Sequence, residues 1–396
     1  MNNTKQLALN LFSVYSSIFL SSLPFGMTMV LIAIKMDKFV GSEILISLSA
    51  ATQIFAGVLF AKYVPIIARK IGVLKTIQIS SLIAATMVLL MYQYFGYFVW
   101  LFIVFIFGAA LFSFSVIRQS ITLDISPPHR KAIIVSTGGM LMALGSSFGA
   151  IILGYIGSDG FLPYAIAAGL YIFSMIPMML FKDANNIVKE GKKVGLMRYI
   201  KISPKIMLGG FVFNYVQAAT GAFIIIYGIQ IGLEINRAAI LFSVFLFGTV
   251  FSVPIGFLTD AINRRFLMMI FTLASLACAI TLFFIHNFVI IAILLFLLFG
   301  FGIGIKVPAL ILINEKYKPT QRLAVNSAFA KVCLIGNICG IFATGAIMEI
   351  LGPKGLWISI IFILFLYTLI NIRSYLRSIF ERSYLRGHII LNKQKH

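Results

Sequence analysis

Twelve apolar runs, each 18–27 residues long, follow one another along the chain with little between them. They cover about 8–34, 44–61, 74–92, 98–121, 132–156, 163–181, 206–229, 238–258, 266–286, 288–313, 323–348 and 354–372. A helix needs roughly 20 consecutive apolar residues to cross the hydrocarbon core of a bilayer. Only helices and closed barrels can do so with every backbone group bonded. The expected fold class is therefore an all-α integral membrane protein of twelve transmembrane helices. The stretch from Phe266 to Asn314 is too long for one pass, and His286-Asn287 is its natural turn. Composition agrees, with 61% hydrophobic and 11% charged residues, where a soluble domain carries about 25% charge. A soluble enzyme is excluded. The first run is not read as a cleaved signal: it exceeds the ~7–15 apolar residues of such peptides and has only Lys5 before it.

The net charge of +21 would suggest nucleic acid in a soluble protein. With both termini placed inside, 25 of the 32 Lys and Arg residues fall in cytoplasmic segments and 4 outside (Lys35, Lys38, Arg237, Lys354). Arg118, Lys306 and Lys331 lie within spans, and the eleven acids divide six inside to five outside. A bias confined to positive residues is what membrane topology produces. The expected location is the cytoplasmic (inner) membrane with both termini cytoplasmic, and no nucleic-acid partner is expected. Cys278, Cys333 and Cys339 lie inside apolar runs and have no disulfide or metal-ligand spacing.

The chain divides into a six-helix half over 1–181, a linker over 182–205, a second six-helix half over 206–372 and a basic tail over 373–396. The tail repeats Arg-Ser-Tyr-Leu-Arg at 373–377 and 382–386, which suits either a segment lying on anionic lipid or a solvated tail. The two halves are related by a shift of 191 residues. Gly57 falls on Gly248, Pro128 on Pro319, Gly145 on Gly336, Gly149 on Gly340 and Gly154 on Gly345. The Gly-x-x-x-Gly pairs of the fifth and eleventh helices put bare backbone on one face, for close helix packing.

Between the eighth and ninth helices the sequence reads Gly256-Phe-Leu-Thr-Asp260-Ala-Ile-Asn263-Arg264-Arg265. This resembles the Gly-x-x-x-Asp-x-x-Gly-Arg-Arg loop of the major facilitator superfamily. Asn263 stands for the last glycine, and both residue types tolerate a left-handed backbone. The equivalent first-half loop, Pro65 to Lys75, keeps Gly72 but has Arg69 in place of the aspartate. The resemblance implies two pseudo-symmetric halves and transport by alternating access. It also implies a gating role for Gly256, Asp260, Arg264, Arg265, Arg69 and Gly72. Asp260 would meet the start of the fifth helix beside Arg130 and Lys131, and Glu315 is the expected partner of Arg69. The general look is that of the drug-efflux-like branch. The chain departs from it at Leu101–Gly108, which lacks that branch's arginine, and at Ala150, where a proline is usual.

Ionisable residues within spans are costly and are functional candidates. Lys306, Lys331 and Arg118 are the candidate substrate-binding bases, with snorkelling to the interface as the bland alternative. No Asp or Glu lies deep in a span, so an anionic solute suits the chain better than a cationic one. Polar stripes recur at helical spacing: Asn10, Ser13, Ser17, Ser21 and Pro24 in the first helix, Asn214, Gln217 and Gly221 in the seventh. In the family resembled, these two helices line the central cavity. Ser17, Ser21, Asn214 and Gln217 are thus substrate-binding candidates, with helix–helix polar packing as the alternative. No phosphate-binding loop or nucleophile–base arrangement is present. The expectation is a secondary transporter, not an enzyme, working as a monomer without a cofactor on a small, anionic organic solute. The alternatives are a multidrug efflux transporter for apolar compounds and a non-transporting receptor or scaffold on the same fold.

Overall fold

The computed structural model describes residues 2–61, 63–127, 131–181, 204–317 and 321–373. The linker and the basic tail of the sequence analysis lie outside these. No strand occurs among the described residues. The first half contains α1 (Asn2–Phe39), α2 (Glu43–Ala61), α3 (Val73–Leu90), α4 (Tyr97–Ile125), α5 (Lys131–Ile156) and α6 (Leu162–Phe173, continued by Ile176–Met179). A short helix, Val64–Ile71, lies between α2 and α3. The second half contains α7 (Pro204–Gln230), α8 (Ile235–Phe247, a 3-10 turn, then Ser252–Ala261), α9 (Arg264–Phe284), α10 (Phe288–Lys316), α11 (Arg322–Leu351) and α12 over 355–373.

The apolar stretch Val325–Arg373 is 49 residues long. As one helix it would measure ~74 Å, more than twice a ~30 Å core. Gly352, at φ +68°, and Pro353 break it, so α11 and α12 are separate passes and the described residues hold twelve. The turn expected at His286-Asn287 forms because the Asn287 side chain accepts from the backbone N–H of Val289 at 3.0 Å and of Ile290 at 3.3 Å, capping α10.

The glycine pairs do the packing expected of them. A Cβ at Gly145 or Gly149 of α5 would collide with the backbone carbonyls of Phe19 or Leu23 in α1. One at Gly336 or Gly340 of α11 would collide with those of Phe211 or Tyr215 in α7. The two halves are therefore built on the same crossing, first helix against fifth, and the internal repeat is a repeat of packing. Small residues let backbones approach where lipid provides no hydrophobic drive between helices.

Candidate functional site

The halves meet at one face of the membrane, the face away from the basic loops. There Glu349, at the end of α11, accepts from Ser42 Oγ at 3.0 Å and from the Ile44 backbone N–H at 3.2 Å. A carboxylate of one half thereby caps the first turn of α2 in the other, where the helix dipole favours negative charge. Gln230 of α7 donates to Glu43 at 2.8 Å, and Ser47 Oγ lies 3.1 Å from the Ile341 carbonyl. On the other flank the rings of Phe148 (α5) and Phe247 (α8) are 5.7 Å apart, and Gly154 lies against Asn236. Followed toward the basic face, the same stripes open. Ser136, five turns from Gly154, and Lys331, about four turns from Gly345, are both exposed. The cleft between the halves opens to the basic face.

The wall formed by the second half carries two of the predicted bases. Lys306 lies about ten residues from the basic end of α10, ~15 Å deep. Its ammonium sits 4.8 Å from the centroid of the Phe213 ring of α7, a distance at which cation–π attraction operates. Lys331, at similar depth on α11, is exposed on the stripe that faces the first half. On α7, Gln217 is half-buried on the open stripe, and open space surrounds Gly221. Asn214 turns away: it is buried, with its Nδ2 donating to the Gly210 carbonyl at 2.8 Å.

In the first half the predicted residues are together but sealed. Arg118 of α4 is 7% exposed. Its Nη1 donates to the Ser17 carbonyl at 2.8 Å and to Ser21 Oγ at 2.5 Å, and its guanidinium stacks 3.7 Å over the Phe114 ring. Ser17 Oγ in turn donates to the Ser174 carbonyl of α6 at 3.0 Å. The polar stripe of α1 thus faces the interior of its own helix bundle, toward α4 and α6, and not the cleft. Arg118 Nε has no hydrogen-bond partner among the described residues.

The two loops expected to gate differ from one another. Asn263 is not left-handed (φ −57°, ψ 117°); it caps α9 instead, accepting from the Arg265 backbone N–H at 3.0 Å. In the first half Gly72 does adopt a positive φ, +95°, between the short helix and α3. Gly256 sits in open surroundings, and Arg265 follows the cap. Glu315 pairs with Arg264 of its own half and not with Arg69, as fits a face where the halves are parted. The side chains of Asp260 and Arg322 and the residues around Arg130 lie outside what is described.

A twelve-helix chain whose halves repeat one packing plan around a central cleft invites comparison with known transporters. The sequence pattern of the Major Facilitator Superfamily matches residues 14–333 and 206–388. This chain belongs to the major facilitator superfamily. Among solved structures of the same fold is a mutant of the nucleoside transporter NupG, with TM-score 0.76 and 13% identity over 92% of this chain and 99% of that one. A bacterial homologue of the human lysosomal transporter Spinster, inward-facing and occupied, has TM-score 0.71 and 16% identity over 93% of this chain and 96% of that one. Among curated proteins, none matches this chain in sequence. At such identities the likeness is one of fold. The superfamily assignment makes the chain an integral membrane transporter of solutes and not an enzyme.

Within that superfamily plan, sequence reasoning missed two groups. Ser115 and Gln119 of α4 are exposed at the depth where α10 carries Lys306. The shift of 191 residues places Ser115 on Lys306, which was the available signal. The latch of Ser42, Glu43, Gln230 and Glu349 joins residues up to 307 positions apart, and no local pattern announces it.

Proposed function

We propose that this protein carries a small organic anion across the membrane by alternating access, with Lys306 and Lys331 on the second-half wall of the cleft as the binding bases. The observation that carries this reading is uncompensated charge. Lys306 lies deep beside an aromatic ring, and every Asp and Glu among the described residues sits at a helix end or in a loop. A carboxylate or phosphate entering the cleft would supply the missing counter-charge through charge-assisted hydrogen bonds. Gln217, Ser115 and Gln119 offer neutral hydrogen-bonding groups for the rest of the solute. Arg118 contributes its positive field from behind α1 without touching the solute in this conformation.

The basic face is read as cytoplasmic, from the distribution of Lys and Arg. The conformation is then inward-open, the Glu349 cap is the closed outer gate, and the linker over 182–205 joins the halves inside. Export of apolar compounds is the second reading, favoured by Phe12, which is 62% exposed on the face of α1 opposite its polar stripe. Uptake into proteoliposomes separates the two. A panel of radiolabelled mono- and dicarboxylates, phosphate monoesters, neutral nucleosides and lipophilic dyes should give saturable flux for a member of the anionic group, with dyes failing to compete. Saturable dye flux without anion competition would establish the second reading in its place.

A further inference from the structure

A groove of about 200 Å³ opens on the outside of the first half, away from the cleft, between α2, the short helix Val64–Ile71, α3 and α4. Its wall is apolar: Phe60, Val64, Ile67, Ile79, Ile83 and Phe105 make most of it, with Ala109 and Ala110 at its floor. Of the three hydroxyls that reach it, two are spent within their own helices, Thr76 on the Gly72 carbonyl and Ser113 on the Ala109 carbonyl, each at 2.7 Å, and the third is that of Ser80. No acid lines it. Along α3 it runs from the basic face to Ile83, ten residues or ~15 Å, which is the depth of one leaflet.

The second half shows why the groove exists. A shift of 191 residues places Ser80 on Phe271 and Ala110 on Phe301. In the second half those two rings, 5.9 Å apart, fill the equivalent crevice together with Phe251 and Phe296, whose rings are 5.2 Å apart. Gly300 and Gly304 pack directly against Phe251 and Phe271. Two small residues in the first half thus leave open what two phenylalanines close in the second. The rim has diverged in the same direction. Arg69, Lys70 and Lys75 stand where the second half has Asp260, Ala261 and Phe266. Lys70 and Lys75 are exposed and stand next in sequence to Ile71 and Thr76 of the groove wall, and no side chain caps α3 at Gly72, which is surrounded by open space.

We propose that this groove is a binding site for an anionic phospholipid of the leaflet on the basic face: one acyl chain lies along α3 between Phe60 and Ile83, and the phosphate lies against Lys70 and Lys75. An apolar channel one leaflet deep matches a lipid chain, and a cluster of bases at the headgroup level selects negative charge. The site is separate from the cleft, so it stands whatever solute the protein carries.

The test uses the purified full-length chain, with dioleoyl phosphatidylglycerol and dioleoyl phosphatidylcholine titrated in parallel and bound lipids counted by native mass spectrometry. The wild type should bind one phosphatidylglycerol in preference to phosphatidylcholine, and Lys70→Gln with Lys75→Gln should remove that preference, at roughly fivefold per base. Ser80→Phe with Ala110→Phe, which copies the second half, should abolish the tight site for both lipids. As a check independent of whether that variant folds, phosphatidylglycerol with an acyl-chain diazirine should label the wild type within 60–83 and 105–113. Equal affinity for the two lipids in the wild type, a preference that survives loss of both lysines, or labelling spread over all lipid-facing helices would each overturn the proposal.

Discussion

The fourth helix of each half carries a base within its span, and the two are handled differently. By the shift of 191 residues Arg118 of α4 and Lys306 of α10 lie one turn apart on equivalent helices. Arg118 is fastened to α1 through Ser17 and Ser21, stacked on Phe114 and sealed. Lys306 rests over Phe213 and is only partly buried. A charge already fixed by hydrogen bonds has little left for a solute, whereas one held by a ring face can turn toward an entering anion at modest cost. The halves share a packing plan, and under the proposed function they divide the work: the first fixes its base in the scaffold, and the second would leave its base for binding.

The sharpest way to break that comparison is to remove the first-half base. Ser21 Oγ also bonds the Ile18 carbonyl at 3.1 Å, so loss of the guanidinium strands no partner. Arg118→Met should therefore keep the volume, remove a buried charge with an unpartnered Nε, and raise stability by about 1–4 kcal/mol. Thermal unfolding in detergent, scored by exposure of the buried cysteines, reads this out. A lowered melting temperature would show that the guanidinium stabilises the bundle and is no mere cost. The shared part of the comparison is tested by Gly149→Ala and Gly340→Ala. Each forces a methyl against a carbonyl of the first helix of its half, and each should destabilise by about 1–3 kcal/mol, measured in the same assay. Strongly unequal losses would mean that the halves do not rely on the same crossing.

Much of this architecture is legible in the sequence, because the bilayer imposes both helix length and charge placement. The Gly145/Gly149 and Gly336/Gly340 pairs point to their packing role, since bare backbone has few other uses at that spacing. The direction in which a polar stripe faces is less legible. Helical spacing puts Ser17 and Ser21 on one face, but that face turns inward because Arg118 and the Ser174 carbonyl lie there. Asn263 misled for a local reason: its side chain can serve a left-handed turn or cap a helix, and the Arg265 N–H decides for the cap. The Glu349 latch was hidden, since it forms only when two halves distant in sequence close on one another.

The most direct test of the account compares the two bases in one assay. For whichever anion is transported, the apparent affinity of Lys306→Gln should fall by about 2 kcal/mol or more, roughly thirtyfold. Lys306→Arg should recover part of it, and Arg118→Gln should change it less than about threefold. A Lys306→Gln protein that transports the anion with wild-type affinity, or an Arg118→Gln protein that loses it, would contradict the division of work between the halves.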